Sequence, residues 1–251
     1  VPRTPPPSPV PPAPRAPRGE PALRGVPVLT REEDGGAWPM LLWVPRGPRR
    51  MVSSALLGGG IGERAWVLNA QVPPGYGRLD PEAHLAGLAR GAGAAGPGVG
   101  LMTAADVRAR RWAADGGVEA LVTAGIGIRG WAAGPGAGNA AAPAPGTINI
   151  LVSVPVPLSD AALVNAVATA TEAKVQALLD AGADASGTPT DAVCVAAALP
   201  VPGAPAEPFA GPRSLWGARL ARAVHRAVLA ACRPALAHVP APADRAGTPA
   251  S

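Results

Sequence analysis

A chain of 251 residues, 48% of them hydrophobic, can bury one sizeable core, and its 33 Pro and 32 Gly break it into short elements. The formal charge of +5 is accompanied by only 3% aromatic residues, and there are two cysteines. That balance argues against a basic-aromatic nucleic-acid surface and against a disulfide-stapled fold. No stretch approaches the roughly 20 apolar residues of a membrane span. The start of the sequence lacks the apolar run of a secretory signal, and the chain reads as cytoplasmic.

In chain order, residues 1–24 form a Pro-rich arm with little that could pack, and residues 239–251 a similar tail. Residues 25–238 are left as one domain. Val26 to Glu32 and Ala37 to Val44 read as a hairpin across Asp34-Gly35-Gly36. Met51 to Leu57 and Ala65 to Val72 read as strands, joined by a segment, Gly58 to Gly62, too rich in Gly to continue a strand. Asp80-Pro81-Glu82 opens a helix that runs to about Ala95. Val99 to Thr103 and Val118 to Thr123 read as strands, each ending in a turn of small residues, and Gly130 to Pro145 as a loop. Thr147 to Val154 is an apolar strand, Asp160 to Gly182 a helix capped by Ser159, Thr190 to Leu199 a strand, and Ser214 to Ala231 an Arg-rich helix. Strands early and alternation later predict a mixed α/β fold, with helices packed on a mixed sheet.

Lys174 is the only lysine in a chain that otherwise uses arginine. At about 100° per residue it falls on an arc with Leu163, Val167, Val164, Val175, Ala168, Leu178 and Leu179, with Thr171 near the centre. Glu172, Asn165, Gln176, Thr169 and Asp180 occupy the opposite arc, Glu172 at its boundary. Lys174 therefore points toward whatever the helix covers. It either snorkels outward along its stem or enters a site. An amine can lose its proton when desolvated, which a guanidinium does not do.

Several short motifs stand in a fixed order: Gly58-Gly59-Gly60, Leu68-Asn69-Ala70, Gly100-Leu101-Met102-Thr103, Val122-Thr123-Ala124, Gly146-Thr147-Ile148-Asn149, Thr171-Glu172-Ala173-Lys174 and Gly187-Thr188-Pro189-Thr190-Asp191. In residues and order, over about residues 50–230, the set resembles the adenosylcobinamide amidohydrolase family. The resemblance implies hydrolysis of the amide that joins aminopropanol to the corrin ring, giving adenosylcobyric acid for cobalamin salvage in the cytoplasm. The long Pro-rich arm and Pro189 depart from the family pattern.

Amide hydrolysis needs an activated nucleophile, donors for the oxyanion and an acid for the leaving amine. The sequence has no His-Glu-x-x-His motif, no Gly-x-Ser-x-Gly elbow and no phosphate loop before its lysine. No metal or other cofactor is expected. Lys174 can serve as a base or hold the oxyanion; Glu172 or Asp191 can activate water or protonate the amine. Thr147, Thr188 and Thr190 can act as nucleophile or donors, and Asn149 as an amide donor. Thr103 joins them as a substrate contact. Gly58, Gly59 and Gly60 either let the backbone approach a large planar ligand or turn a hairpin. Leu57, Ile61, Trp66, Met102 and Trp131 are candidates for apolar walls. Each polar residue also has a purely structural use at a strand end or turn. The expected partner is the corrinoid substrate, without nucleic acid, and a homo-oligomer stays open. A corrinoid-binding protein without catalysis, and an unrelated hydrolase with a Thr nucleophile, are the competing readings. Cys194, in an apolar strand, is expected to be a core thiol.

Overall fold

The computed structural model describes residues 23–134 and 146–236, so residues 1–22 of the arm, the tail 239–251 and most of the expected loop 130–145 lie outside the described part. Within it the strands are β1 Val28–Glu33, β2 Gly36–Trp43, β3 Arg49–Ser53, β4 Gly60–Arg64, β5 Trp66–Gln71, β6 Gly98–Thr103, β7 Arg111–Asp115, β8 Val118–Ile126, β9 Gly146–Val154 and β10 Ala192–Ala197. The helices are α1 Pro81–Gly91, α2 Asp160–Asp180 and α3 Leu215–Leu236.

The mixed α/β class stands, but the strands are divided over two sheets. One has the order β1-β2-β5-β6, the other β4-β3-β10-β9-β8-β7. Pairing is antiparallel except for β5 with β6 and β9 with β10. Strand alternation builds the layers. In β9, Ile148, Ile150, Val152 and Val154 face α2 and α3, while Leu151 faces the other sheet beside Leu101, Val67 and Trp43. Burial on both faces explains why β9 is an almost unbroken apolar run. Helix α1 covers the outer face of the smaller sheet through Leu85 and Ala89.

Four sequence readings change. Gly60–Arg64 does continue as a strand, at the edge of its sheet where only β3 pairs with it, the place where a sheet tolerates Gly. Strand β7 is absent from the sequence reading; Arg108 and Arg110 before it and Arg111 at its start mask a short edge strand. Leu23 is completely buried, and its N–H donates to Glu119, so packing begins inside the expected arm. Burying that side chain contributes about 1.5–3 kcal/mol.

The fourth change concerns α2. Its buried face is Ala162, Leu163, Ala166, Thr169, Ala170, Ala173, Lys174, Ala177 and Leu178. Val164 and Leu179 are exposed, and so is Thr171. The true face is turned by roughly 100°, about one residue, from the arc drawn through the large apolar residues. Alanines let α2 approach the sheet and α3 closely, so small residues mark the buried stripe. Thr169, read as polar-facing, is buried and donates to Ala210 O at 2.8 Å. Lys174 lies where the two arcs overlap and is 8% exposed.

Candidate active site

Strands β9 and β10 run parallel and start at the same end of the larger sheet. The turn before β10 and the second turn from the end of α2 meet there. Lys174 Nζ donates to Asp191 Oδ2 at 2.5 Å, with both side chains about nine-tenths buried. Asp191 receives three further donors. Thr188 N reaches Oδ2 at 3.2 Å, while Thr188 Oγ1 at 2.5 Å and Ile148 N at 2.9 Å reach Oδ1. A carboxylate offers about four lone-pair positions, and protein donors occupy all of them. Asp191 is thus an anchor that fixes the Lys174 amine, and it presents no spare acceptor to a water molecule. Lys174 keeps two further N–H donors beyond the one given to Asp191.

Gly187 makes room for this pair. A methyl group there would overlap Asp191 Oδ2 and stand 2.6 Å from Lys174 Nζ. Its carbonyl accepts from Gly130 N at 3.0 Å, which pins the segment after β8 beside the Thr188 turn. That segment carries Trp131, 45% exposed, with its indole N–H donating to Asp184 at 3.0 Å. Of the expected apolar walls, Trp131 is therefore placed next to the site.

The threonines form a second chain. Thr147 Oγ1 and Thr190 Oγ1 are 2.6 Å apart, and Thr190 Oγ1 lies 3.0 Å from Gly146 O. Gly146 O also lies 2.9 Å from Thr188 Oγ1, so either Thr147 or Thr190 can be the donor between the two hydroxyls. Thr147 is buried and Thr190 exposed; the chain runs from the interior to the surface.

Asn149 lies two residues further into the sandwich, 2% exposed. Its Nδ2 donates to Asn69 Oδ1 at 2.9 Å and Met102 O at 3.1 Å, and Asn69 Nδ2 donates to Thr123 Oγ1 at 2.9 Å. Its amide donors are thus spent on joining the two sheets, while its Oδ1 is buried without a hydrogen-bond partner. Asn69 and Thr123 were not singled out as site residues. The signal for them was a polar side chain interrupting each apolar strand, at Leu68-Asn69-Ala70 and Val122-Thr123-Ala124, on the face that alternation turns inward.

Other expected contacts stand apart. Glu172 is exposed, two residues and therefore about 200° round the helix from Lys174; it makes no hydrogen bond or ion pair with the described residues. Thr103 is buried and accepts from Ala105 N at 3.0 Å, closing its own turn. Gly58 has φ +70°, and a side chain there would overlap the Gly98 carbonyl; one at Gly59 would stand 2.5 Å from Ala55 O. Close backbone packing explains both glycines, whereas Gly60, at φ +77°, is exposed with open space around it. Cys194 is fully buried, and desolvation pushes its thiol up to about 12. His225 pairs with Asp180 at 2.7 Å on the surface. Among the described residues no cluster of three or more His, Cys, Asp and Glu is arranged to hold a metal ion, and no helix is long and apolar enough to cross a membrane.

The family model described as adenosylcobinamide amidohydrolase matches residues 27–239. A curated relative, the adenosylcobinamide amidohydrolase of Methanosarcina mazei, is 33% identical over 180 residues, which cover 69% of this chain and 86% of the relative. Among solved structures, the PH0078 protein from Pyrococcus horikoshii aligns with a TM-score of 0.45 at 13% identity, covering 82% of this chain and 83% of that one. The match along nearly the whole folded region, together with the relative's identity and coverage, means that the chain belongs to the adenosylcobinamide amidohydrolase family.

Proposed function

We propose that this protein hydrolyses the amide between aminopropanol and the corrin ring of adenosylcobinamide, and that Lys174 is the group on which turnover depends. The observation that carries the assignment of Lys174 is its buried pairing with Asp191 at the start of β10, surrounded by Thr188, Thr190 and Thr147. A lysine held by a carboxylate that has no other free position is a preorganised donor. In this reading the two remaining N–H groups of Lys174 face the amide carbonyl, and the exposed Thr190 hydroxyl orients the attacking water. Water adds to the carbonyl carbon, and the oxyanion forms against Lys174. One water proton passes through the Thr190 hydroxyl to the amide nitrogen as the C–N bond breaks, giving the corrin carboxylic acid and the free amine of aminopropanol, and the acid then gives its proton to that amine to leave a carboxylate and an ammonium. Asp191, Thr188 and Gly187 act through Lys174 as positioning residues. Trp131 supplies an apolar wall at the rim. Glu172 has no part in this scheme. The reaction is a salvage step that we place in the cytoplasm.

Incubation with adenosylcobinamide, followed by mass-spectrometric detection of free aminopropanol and adenosylcobyric acid, tests this reading. Both products should accumulate in equal amounts. Corrinoid binding without product release would contradict it. The Thr147–Thr190 hydroxyl chain is the feature that favours a Thr nucleophile instead, and an acyl-enzyme trapped on either residue would establish that route.

A further inference from the structure

Trp131 is the exposed tryptophan among the described residues, and it is firmly held for such a side chain. Its indole N–H donates to Asp184 Oδ1 at 3.0 Å, and Gly134 N closes a turn onto its carbonyl at 3.0 Å. On either side of it, Gly130 N donates to Gly187 O and Gly130 O accepts from Ser186 N, both at 3.0 Å, while Ala132 N donates to Ser186 Oγ at 2.8 Å. The same segment presses on the start of β9, where a methyl group at Gly146 would stand 2.6 Å from Ile128 O. Gly187 borders Lys174 Nζ, and Gly146 O lies within hydrogen-bond reach of Thr188 and Thr190. The indole is therefore fastened, through its chain neighbours, to both parts of the site.

Asp184 has an oxygen to spare. Its Oδ1 takes the indole N–H, and Oδ2 has no partner among the described residues. Asp184 is exposed like Trp131, and the two side chains touch, so a ligand resting on the indole lies beside the free carboxylate oxygen. A flat indole face takes a flat ring, and a carboxylate oxygen takes hydroxyl or amino donors. A flat ring joined to hydroxyl donors is a nucleoside, and a carboxylate on the ribose hydroxyls is a recurrent way to hold one. Both side chains are fixed by protein hydrogen bonds before any ligand arrives, which lowers the ordering cost of binding.

Resting on the function proposed above, we infer that Trp131 and Asp184 form the subsite for the adenosyl group of the corrinoid. Of the parts of that substrate, aminopropanol carries no ring, and the corrin faces are screened by the axial ligand and by out-of-plane substituents. The adenine is flat and open. It stacks on Trp131, and the ribose hydroxyls donate to Asp184 Oδ2. The pair selects corrinoids that carry a nucleoside and does no chemistry. Because Asp184 and Asp191 belong to one short stretch of chain, holding the nucleoside also sets where the corrin lies relative to Lys174.

The test compares adenosylcobinamide with methylcobinamide, the same corrinoid with a methyl group in place of the nucleoside. In dim light, kcat and KM for aminopropanol release are measured for wild type, Trp131→Ala, Trp131→Phe and Asp184→Asn. The Kd of each corrinoid is measured by titration calorimetry with the same changes made in Lys174→Met, which spares the substrate. Trp131→Ala should raise KM and Kd for adenosylcobinamide by about tenfold, the size of one lost stacking contact. Its kcat and its affinity for methylcobinamide should stay within about twofold, as for a contact equal in ground and transition states. Trp131→Phe keeps a ring but loses the bond to Asp184, and should recover much of the affinity. Asp184→Asn keeps an acceptor for the indole and turns the free oxygen into an amide donor, so it should weaken adenosylcobinamide a few-fold and leave methylcobinamide unchanged. Unchanged affinity in Trp131→Ala, equal weakening of both corrinoids, or a Trp131→Phe as weak as Trp131→Ala would overturn the subsite. Loss of adenosylcobinamide binding alone in Trp131→Ala, together with a wild type that releases no aminopropanol, would uphold the subsite and overturn the hydrolysis.

Discussion

Lys174 Nζ and Asp191 Oδ2 stand 2.5 Å apart, joining helix α2 to the turn before β10 across the end of the larger sheet. The pair is about nine-tenths buried, and Asp191 is also held by the Thr188 amide and hydroxyl and by the Ile148 amide. A buried ion pair is weak evidence for stability by itself, since desolvation offsets attraction. Here the arrangement fixes the Lys174 amine, which in the proposed function meets the scissile carbonyl.

Gly187 gives a steric test of that arrangement. A methyl group at this position meets the Lys174 and Asp191 side chains, and no backbone atom stands among its nearest neighbours. Gly187→Ala should therefore displace the pair while the chain still folds. Turnover should fall by at least about tenfold, the effect of about 1.4 kcal/mol in the barrier, with unchanged far-ultraviolet circular dichroism. Normal turnover in Gly187→Ala would mean that the spacing of the pair does not matter.

Cys194 should be inert. Burial pushes its thiol up to about 12, and Cys232 is likewise pushed up to about 12 by burial. Thiolate is the reactive form, so an aromatic disulfide reagent should label neither cysteine in the native protein and both after unfolding. Cys194→Ala should cost about 1 kcal/mol of stability and keep turnover within about twofold. Stoichiometric labelling of the native protein with loss of activity would contradict this.

The pH dependence of stability can be tested at the β7 end. Hydrogen bonds from Arg222 hold the Asp115 carboxyl below the usual carboxylate range, with desolvation opposing and Arg226 adding. A depressed carboxylate stabilises the fold above its unfolded pKa, about 3.9, and that contribution is lost as pH falls through the folded value. Asp115→Asn should therefore lower the melting temperature near neutral pH, and the gap to wild type should close on acidification below about pH 4. A gap of constant size across that range would show that Asp115 contributes through packing alone.

Much of the frame was legible because it depends on local pattern. The Ser159 cap, the apolar run of β9 and the hairpin at Asp34 follow from nearest-neighbour chemistry, and Ser159 does accept from Ala162 N at 3.1 Å. The sequence arc follows the large apolar side chains and of the alanines takes in only Ala168, whereas the buried face is marked by Ala162, Ala166, Ala170, Ala173 and Ala177. Lys174 was still placed inward because it lies within both arcs. Its partner could not be derived: Asp191 is 17 residues away across a helix end and a turn, and only the fold sets that distance. The same holds for Asn69 and Asn149, whose side chains meet between two sheets. Glu172 was a candidate as a carboxylate in its motif at the edge of the polar arc, and the structure leaves it exposed, about 200° round the helix from Lys174.

That contrast sets the control for the central measurement. Glu172→Gln, an exposed change, should retain turnover within about twofold. Lys174→Met removes the amine and leaves Asp191 with its three other donors, so its stability cost should stay below the roughly 3–5 kcal/mol of a broken buried pair.

The most direct test is the rate of aminopropanol release from adenosylcobinamide by Lys174→Met and Lys174→Arg, each checked for native folding. The amine account predicts that both lose at least about a hundredfold in turnover, the lower range for losing an acid–base or oxyanion group. For Lys174→Arg the loss follows because a planar guanidinium is bulkier than the ammonium and does not fit beside Gly187 in the same place. A folded Lys174→Arg or Lys174→Met protein that releases aminopropanol at near wild-type rate would contradict the account and move the chemistry to Thr147 and Thr190.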